Sequence, residues 1–355
     1  MELDWLSKLA AAARDTRGIL AIAWRMDARL TFLYYMTAFV AGLAPIAAGL
    51  TLARLIDHVV VTSPGQATVP LIVAIVAAMH FAIVAIHAAV RFGLHEQYYN
   101  NSFRYRLQDT FTYQFCEKLT QLDIPQLGDP EVQTLITKVR STHQWRVPDF
   151  FRMLAYAFIA TIGVVSAAIA LAPFGAWVVA AVLAGTVPRV VVRLTFGEMP
   201  WSMYGSGASE SRKLWYLGEL LSEASALREF KVLRTAPSLL TRYRAIRARI
   251  WVLGKRPLDR YRRISVIAPL AEGALVFALA WAMLPQVTAG GLTVGSFAFF
   301  VTMLRQLATS AADTGGSASM VHENLLHVRH WNELMACPGS SRTPATPQHR
   351  LISDN

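Results

Sequence analysis

Four long runs without a charged side chain constrain the fold of this sequence more than any other feature. Lys, Arg, Asp and Glu are absent from residues 30–53, 58–90, 153–188 and 273–304. A bilayer core about 30 Å thick is crossed by about 20 apolar residues in a helix. Within lipid, only helices and closed barrels satisfy their backbone groups. The runs lack the alternation of barrel strands, so they predict an all-α membrane protein.

Composition supports the same conclusion. The chain has 355 residues, of which 54 % are hydrophobic and 16 % charged, and its mean hydropathy is +0.37. Soluble domains carry about 25 % charged residues. The apolar content excludes a disordered chain. The two cysteines, Cys116 and Cys337, are too few for a disulfide scaffold.

Turn residues divide the apolar runs into six predicted transmembrane helices. Gly and Pro clusters, which continue a helix only at a cost, occur at 62–66, 173–175 and 285–291. The predicted spans are 30–61, 69–91, two within 153–188 on either side of the 173–175 turn, 264–284, and one that begins near Val294. Glu272 interrupts the fifth.

The positive charge indicates the orientation of these spans. The loops 62–68, 172–175 and 285–293 contain no Lys or Arg, whereas the connection 92–146 contains six. The connection 189–263 contains sixteen Lys and Arg against six Asp and Glu, which is most of the net charge of +11. Because positive loops stay in the cytoplasm, we expect a multi-pass protein of the cytoplasmic membrane, with both termini and both cysteines inside.

The long connections read as helices that extend beyond the membrane. Helix formers and aromatic residues at helical spacing occupy 98–118, 209–232 and 239–253. Residues 1–29 are predicted to form an amphipathic segment on the membrane surface, and 338–355 a polar linker. On a membrane protein, the basic charge indicates orientation and contact with anionic lipid, so we expect no nucleic-acid partner.

Several strings, in this order, resemble the transmembrane domain of ABC exporters, the dimeric ATP-driven pumps. Gly42-Leu-Ala-Pro45 through Leu55-Ile56-Asp57 resembles the first span of that family. Leu122-Asp-Ile-Pro125 with Asp129-Pro-Glu131 resembles its first inner loop, and Leu227–Leu233 with Leu240–Tyr243 the second. Gly291–Phe297 resembles the start of its sixth span. The resemblance covers roughly 17–337, and implies a type I exporter fold with 30–337 as the six-span domain.

The resemblance also implies a function and partners. A solute would cross the cytoplasmic membrane by alternating access, and a second transmembrane domain would complete a homodimer or heterodimer. The tips of the two inner loops would be coupling helices that contact a nucleotide-binding domain. In this sequence, the residues that the resemblance implies to contact the nucleotide-binding domain are Asp123, Pro125, Asp129, Pro130, Glu131, Leu233, Arg234 and Leu239.

The residues of the first tip support a helix break independently. Pro125, Gly128 and Pro130 end one helix and start another, and Asp129 is placed to cap the second. An ordinary helix–turn–helix tip without a partner is the alternative.

No ATPase motif accompanies these features. The sequence lacks G-x-x-x-x-G-K-[ST], and its one Gly-Lys pair, Gly254-Lys255, is followed by Arg256. We therefore expect no cofactor in this chain, and ATP and Mg²⁺ on an associated nucleotide-binding domain. That domain would be a separate subunit or one lost by truncation. A non-ABC six-span carrier or channel, and an inactive membrane remnant of a transporter, remain alternatives.

Polar groups within spans are candidate pathway residues, because burying them in lipid is costly. His80, His87 and Arg91 share one face of the second predicted helix. They would line a substrate pathway. Alternatively, the histidines hydrogen-bond neighbouring helices and Arg91 extends to the interface.

Two ion pairs and no metal site are predicted. Glu272 and Arg305 fall at similar depth in antiparallel spans, so we expect them to pair. They are also candidate substrate-cavity residues, so the pair would either hold the two helices together or contact the substrate. Arg54 and Asp57, near the outer end of the first span, are expected to form a local pair. The spacing of His322, His327 and His330 places only the last two on one face without a completing ligand, which favours a solvated surface over a metal site.

Overall fold

Helices joined by short turns make up the described part of the chain. The computed structural model describes residues 16–61, 70–197 and 208–338, and no strand occurs among them. Residues 16–26 are helical. The further helices are α1 (Ala28–Val61), α2 (Leu71–Ala88), a π-helix (Ala89–Tyr99), α3 (Asn100–Gln121), α4 (Ile124–Leu127), α5 (Pro130–Thr142), α6 (Arg146–Leu171), a 3₁₀ turn (Ala172–Phe174), α7 (Ala176–Gly197), α8 (Ala208–Ser222), α9 (Ala224–Val232), α10 (Ala236–Thr288) and α11 (Val294–Ala336).

Among the described residues, five helical stretches are long and apolar enough to cross a membrane. They are Ala28–Val61, Leu71–Gln121, Arg146–Phe174, Ala176–Arg193 and Ala236–Thr288. The sequence-based expectation of an all-α chain with membrane-spanning helices is confirmed at this level. The start of α11, predicted as a sixth span, is not among the five. It contains Arg305 and Gln306, which make it less apolar.

Two of the predicted turns fall within the described residues. The turn at 173–175 is present, and Gly175 adopts φ +116°, which a side chain would disfavour. The prediction that the fifth span ends before Pro285 is wrong. Helix α10 continues to Thr288, and the chain then turns at Gly290, which adopts φ +76°. Pro has a helical φ, so it costs the last turn one hydrogen bond without ending it. The turn predicted at 62–66 lies outside the described residues.

The chain divides into two compact units, and the first has an aromatic core. This unit comprises residues 1–38, 88–155 and 320–355. Buried side chains from its helices pack around Trp331, whose ring lies 4.8 Å from that of Phe111. Ile19 and Ala23 of the N-terminal helix are buried in the same core. The segment predicted to lie on the membrane surface therefore also packs against protein.

The second unit comprises residues 39–87 and 156–319 and is packed as membrane helices are. Phe300, Met303 and Leu307 form one buried face of α11. Gly42 of α1 lies so close to α6 that an added Cβ would sit 2.9 Å from the Ile162 side chain. Small residues permit this approach between helices, which is how helices associate in lipid.

The helices α10 and α11 are each far longer than a bilayer is thick. α10 has 53 residues and α11 has 43. At 1.5 Å per residue they measure about 80 Å and about 65 Å, against about 45 Å for a bilayer with its headgroups. The prediction that spans continue as helices into the long connections is confirmed for α10 and for the unbroken stretch Leu71–Gln121, which includes α3. The helices α8 and α9 occupy the remaining stretch predicted to be helical.

Candidate functional site

A cavity of about 610 Å³ lies within the second unit, between α7, α10 and α11. Most of its lining is apolar, and three ionisable side chains face it. The lining residues are Arg189, Pro269, Glu272, Gly273, Val276, Phe277, Ala280, Val301, Arg305, Ala308 and Thr309. Its volume falls in the range of small-molecule sites, about 300–1,000 Å³.

Helical periodicity explains which residues reach the cavity. On α10 the lining residues recur at three- and four-residue intervals from Pro269 to Ala280. Val301 and Arg305 on α11 follow the same rule and continue to Thr309. Residues at this spacing share one face of a helix. The opposite face of α11, with Met303 and Leu307, is packed in the core of the unit.

Arg189 and Glu272 form an ion pair at the cavity wall. The Nη1 atom of Arg189 donates to Oε1 of Glu272 at 2.9 Å, and their side chains are 25 % and 11 % exposed. The other carboxylate oxygen of Glu272, Oε2, is buried and has no hydrogen-bond partner among the described residues. The cavity wall therefore contains a carboxylate that uses only one of its two oxygens.

The predicted pair between Glu272 and Arg305 is not formed. Among the described residues, Glu272 pairs with Arg189, and no carboxylate lies within ion-pair distance of Arg305. The prediction compared only the fifth and sixth spans, whereas α7 packs alongside α10 and brings Arg189 to the carboxylate. Arg305 lines the same cavity as that pair, and no described carboxylate neutralises it.

A second ion pair joins α7 to α11 and was not predicted. Arg193 Nη1 donates to Asp313 Oδ1 at 2.7 Å and to the Ala312 carbonyl at 3.0 Å. Arg189 and Arg193 are four residues apart, on one face of α7. Two arginines four residues apart at the end of an apolar span could have predicted that this face of α7 contacts carboxylates.

The histidine stripe predicted for the second span does not line this cavity. The His80 ring nitrogen Nδ1 lies 3.0 Å from Thr51 Oγ1, a hydrogen bond that joins α1 and α2. His87 lies in the last turn of α2. This placement matches the structural alternative for His80.

Arg91 lies beyond α2, in the π-helix, so the predicted face is not continuous. The i→i+5 winding changes the angular spacing on which the prediction relied. Arg91 pairs with Glu96 at 3.9 Å and lies over the Phe92 ring, 5.6 Å from its centre.

Asp57 caps the start of α11. The predicted ion pair between Asp57 and Arg54 is not formed among the described residues. The Oδ1 atom of Asp57 accepts from the Gly295 N–H at 2.7 Å, and its Oδ2 from the Thr293 hydroxyl at 2.9 Å. A carboxylate at a helix N-terminus satisfies free N–H groups and the helix dipole. A Cβ at Gly295 would collide with the Ala53 carbonyl, so this position requires glycine.

The first predicted coupling tip forms two capped helices. The Asp123 N–H donates to Gln126 Oε1 at 3.0 Å at the start of α4. Asp129 Oδ1 accepts from the Glu131 N–H at 2.9 Å, which confirms Asp129 as the cap of α5. Pro125 lies in the first turn of α4 and Pro130 begins α5.

The second predicted tip is a tight turn between α9 and α10. It consists of residues 233–235, and Arg234 adopts the left-handed conformation with φ +55°. Leu239, included in the predicted contact, lies in the first turn of α10. Contact of either tip with an ATPase stays a prediction.

The C-terminal histidines do not form the solvated surface that their spacing predicts, because His327 and His330 are half-buried and only His322 is exposed. No group of three or more His, Cys, Asp or Glu in the described ranges is placed to hold a metal ion. The rings of His327 and His330 are 6.5 Å apart, and Glu323 pairs with Arg146 at 3.3 Å. Burial, Arg146 and His330 together lower the pKa of His327 to about 4. Cys116 and Cys337 are free thiols.

Comparison with known proteins adds no family. No protein-family model matches this chain, and no curated protein matches it.

Proposed function

We propose that this chain is the transmembrane domain of an ABC-type exporter. In this proposal six spans, with the start of α11 as the sixth, pair with a second transmembrane domain. A solute crosses the cytoplasmic membrane by alternating access, and ATP is hydrolysed with Mg²⁺ on a nucleotide-binding partner. The sequence resemblance and the geometry of α10 support this proposal.

The continuity of α10 is the observation that carries the proposal. This helix begins directly after the tip at 233–235 and runs without a break to Thr288. Glu272, in the cavity wall, belongs to the same helix, about 54 Å from Ala236 at 1.5 Å per residue. A displacement of the tip is therefore transmitted to the cavity by a continuous helix, as coupling requires.

Both tips expose large apolar side chains that suit a protein partner. Ile124 is 86 % exposed at the first tip, and Leu233 is 67 % exposed at the second. In the proposed topology both tips lie in the cytoplasm, where lipid does not cover them. At the second tip Val232, which is 83 % exposed, adjoins Leu233. Adjacent exposed apolar side chains suit insertion into a groove of a partner.

The partner is tested with tagged protein purified from membranes in a mild detergent. We expect a polypeptide with a P-loop motif to co-purify, together with Mg²⁺-dependent, vanadate-sensitive ATPase activity. Leu233→Asp should remove both. Leu253→Asp is the matched control, because Leu253 is a leucine of similar exposure, 60 %, on α10 away from the tip.

Two results would reject the proposal in favour of its alternatives. Solute movement in sealed vesicles that contain no nucleotide would indicate a carrier or channel. Equal ATPase recovery with Leu233→Asp and Leu253→Asp would indicate that the tip has no partner.

A further inference from the structure

We propose that the cavity between α7, α10 and α11 binds an amphiphilic anion, with Arg305 as the group that pairs with its negative charge. The solute class follows from the charges and surfaces of the cavity. It rests on the proposed function only in that the bound anion would be the transported solute.

The charge balance of the cavity favours an anion. Of its three ionisable side chains, Arg189 and Glu272 neutralise each other at 2.9 Å. Arg305 faces the same cavity, and no carboxylate among the described residues pairs with it. The cavity thus has one positive charge in excess. A guanidinium presents a planar set of donors that matches a carboxylate or a phosphate.

The rest of the lining favours an apolar group on the same molecule. Val276, Phe277 and Ala280 of α10 face Val301 and Ala308 of α11. These side chains offer no hydrogen bond, so a small inorganic anion would leave the apolar wall uncovered. A hydrocarbon or ring attached to the anionic group would bury that wall.

Glu272 gives a second indication that the cavity accommodates a ligand. Its Oε2 atom is buried without a hydrogen-bond partner among the described residues, although the same carboxylate binds Arg189 through Oε1. An unsatisfied buried acceptor costs about 1–3 kcal/mol. A hydroxyl or N–H group of a ligand that reaches this atom would satisfy it.

The test measures binding without nucleotide, in nanodiscs of neutral phosphatidylcholine. The probe is 11-(dansylamino)undecanoate, whose fluorescence rises in an apolar site, and its methyl ester is the uncharged analogue. We expect saturable binding of the acid and at least tenfold weaker binding of the ester. That ratio corresponds to about 1.4 kcal/mol.

Variants assign the binding to Arg305. We expect Arg305→Gln to weaken binding of the acid at least tenfold without affecting the ester, and Arg305→Lys to retain an intermediate affinity. Arg54→Gln is the matched control. Arg54 is an exposed arginine of the same unit, outside the cavity and without an ion pair among the described residues. Circular dichroism and gel filtration check that each variant is folded.

The anion could come from the bilayer or from solution, and a second arm separates these sources. If phosphatidylglycerol in the nanodisc displaces the probe and soluble decyl phosphate does not, the site takes a lipid headgroup. If decyl phosphate competes equally well in both nanodiscs, the site takes a free solute.

Two outcomes overturn the proposal. Equal affinity for acid and ester would show that charge is not recognised, and this comparison needs only the unmodified protein. Equal binding by Arg305→Gln and Arg54→Gln would place the site elsewhere. Because no ATPase takes part, failure of ATP-driven transport leaves the binding result intact, and failure of binding leaves the ATPase test intact.

Discussion

At the scale of single residues, the Arg189–Glu272 pair determines the character of the cavity. Removing one partner of a buried pair leaves an uncompensated charge, which costs about 3–5 kcal/mol in fully buried cases. Arg189 keeps a quarter of its side chain exposed. We therefore expect Arg189→Gln to lower the free energy of unfolding by about 2 kcal/mol. The double variant with Glu272→Gln should lose less than the sum of the single losses, which thermal unfolding in detergent can measure.

A surface pair provides the control for this cycle. Arg262 and Asp259 lie 4.0 Å apart with largely exposed side chains. Exposed pairs contribute about 0–1 kcal/mol, so Arg262→Gln should barely change the unfolding temperature. Additive losses at Arg189 and Glu272 would contradict the pairing.

A second prediction at the scale of single residues concerns Asp57 as a helix cap. Asp57→Ala removes two hydrogen bonds at the start of α11, and loss of a helix cap costs about 0.5–2 kcal/mol. We expect a lower unfolding temperature for Asp57→Ala and none of this loss for Arg54→Gln. An equal decrease in unfolding temperature for both variants would support the Arg54–Asp57 ion pair that the sequence predicted.

His327 makes the stability of the first unit depend on pH. Its pKa is lowered to about 4 in the folded protein, because burial, Arg146 and His330 disfavour the charged ring. The unfolded chain binds a proton near pH 6.5. Stability from the neutral ring is therefore complete above pH 6.5 and is lost as the pH falls towards 4. We expect the unfolding temperature to decrease between pH 6.5 and 5, and His327→Gln to reduce that decrease.

The exposed His322 is the control for this titration. His322→Gln should leave the slope between pH 6.5 and 5 unchanged. An unaltered slope in His327→Gln would show that another group is responsible.

At the scale of helices, the end of α11 is attached to the first tip. Lys118 Nζ at the end of α3 donates to the Cys337 carbonyl at 2.6 Å, and Gln126 Nε2 of α4 donates to the Pro338 carbonyl at 3.0 Å. Both carbonyls follow the last turn of α11, where carbonyls lack helical partners. Positive side chains at that position are favourable to the helix dipole.

This attachment predicts a local change in hydrogen exchange. Lys118→Met should speed amide exchange in the last turns of α11, around Leu334, while exchange in the core of α3 stays the same. Lys138→Met, at an exposed lysine of α5, is the control. Uniform acceleration across the first unit would indicate general destabilisation.

Sequence periodicity predicted helices well and their local irregularities poorly. Hydropathy marks α1 and α6 because lipid requires long uncharged runs. The π-helix at Ala89–Tyr99 changes the winding, and its one glycine, Gly93, does not by itself predict i→i+5 winding. The face shared by His80 and Arg91 could therefore not be foreseen. Pro285 predicted the end of a helix, but α10 continues past it to Thr288.

At the scale of the whole chain, sequence reasoning identified the cavity's charged residues on α10 and α11 but not their partners. Glu272 and Arg305 stand out because charges are rare in spans. The choice between Arg189 and Arg305 as the partner of Glu272 depends on which helices are neighbours, and one sequence does not encode that directly. The apolar lining is likewise indistinguishable in sequence from a lipid-facing surface.

The membrane orientation can be tested by cysteine labelling. In the proposed topology the turn after α10 lies outside the cytoplasmic membrane and α3 lies in the cytoplasm. Ala289 is exposed in that turn, and the native Cys116 is exposed on α3. In a Cys116→Ser, Cys337→Ser background, Ala289→Cys should react with a membrane-impermeant maleimide in intact cells. A chain that retains only Cys116 should react only after the cells are permeabilised. The reverse pattern would invert the topology and place the basic connection 189–263 outside, against the charge rule that predicted it.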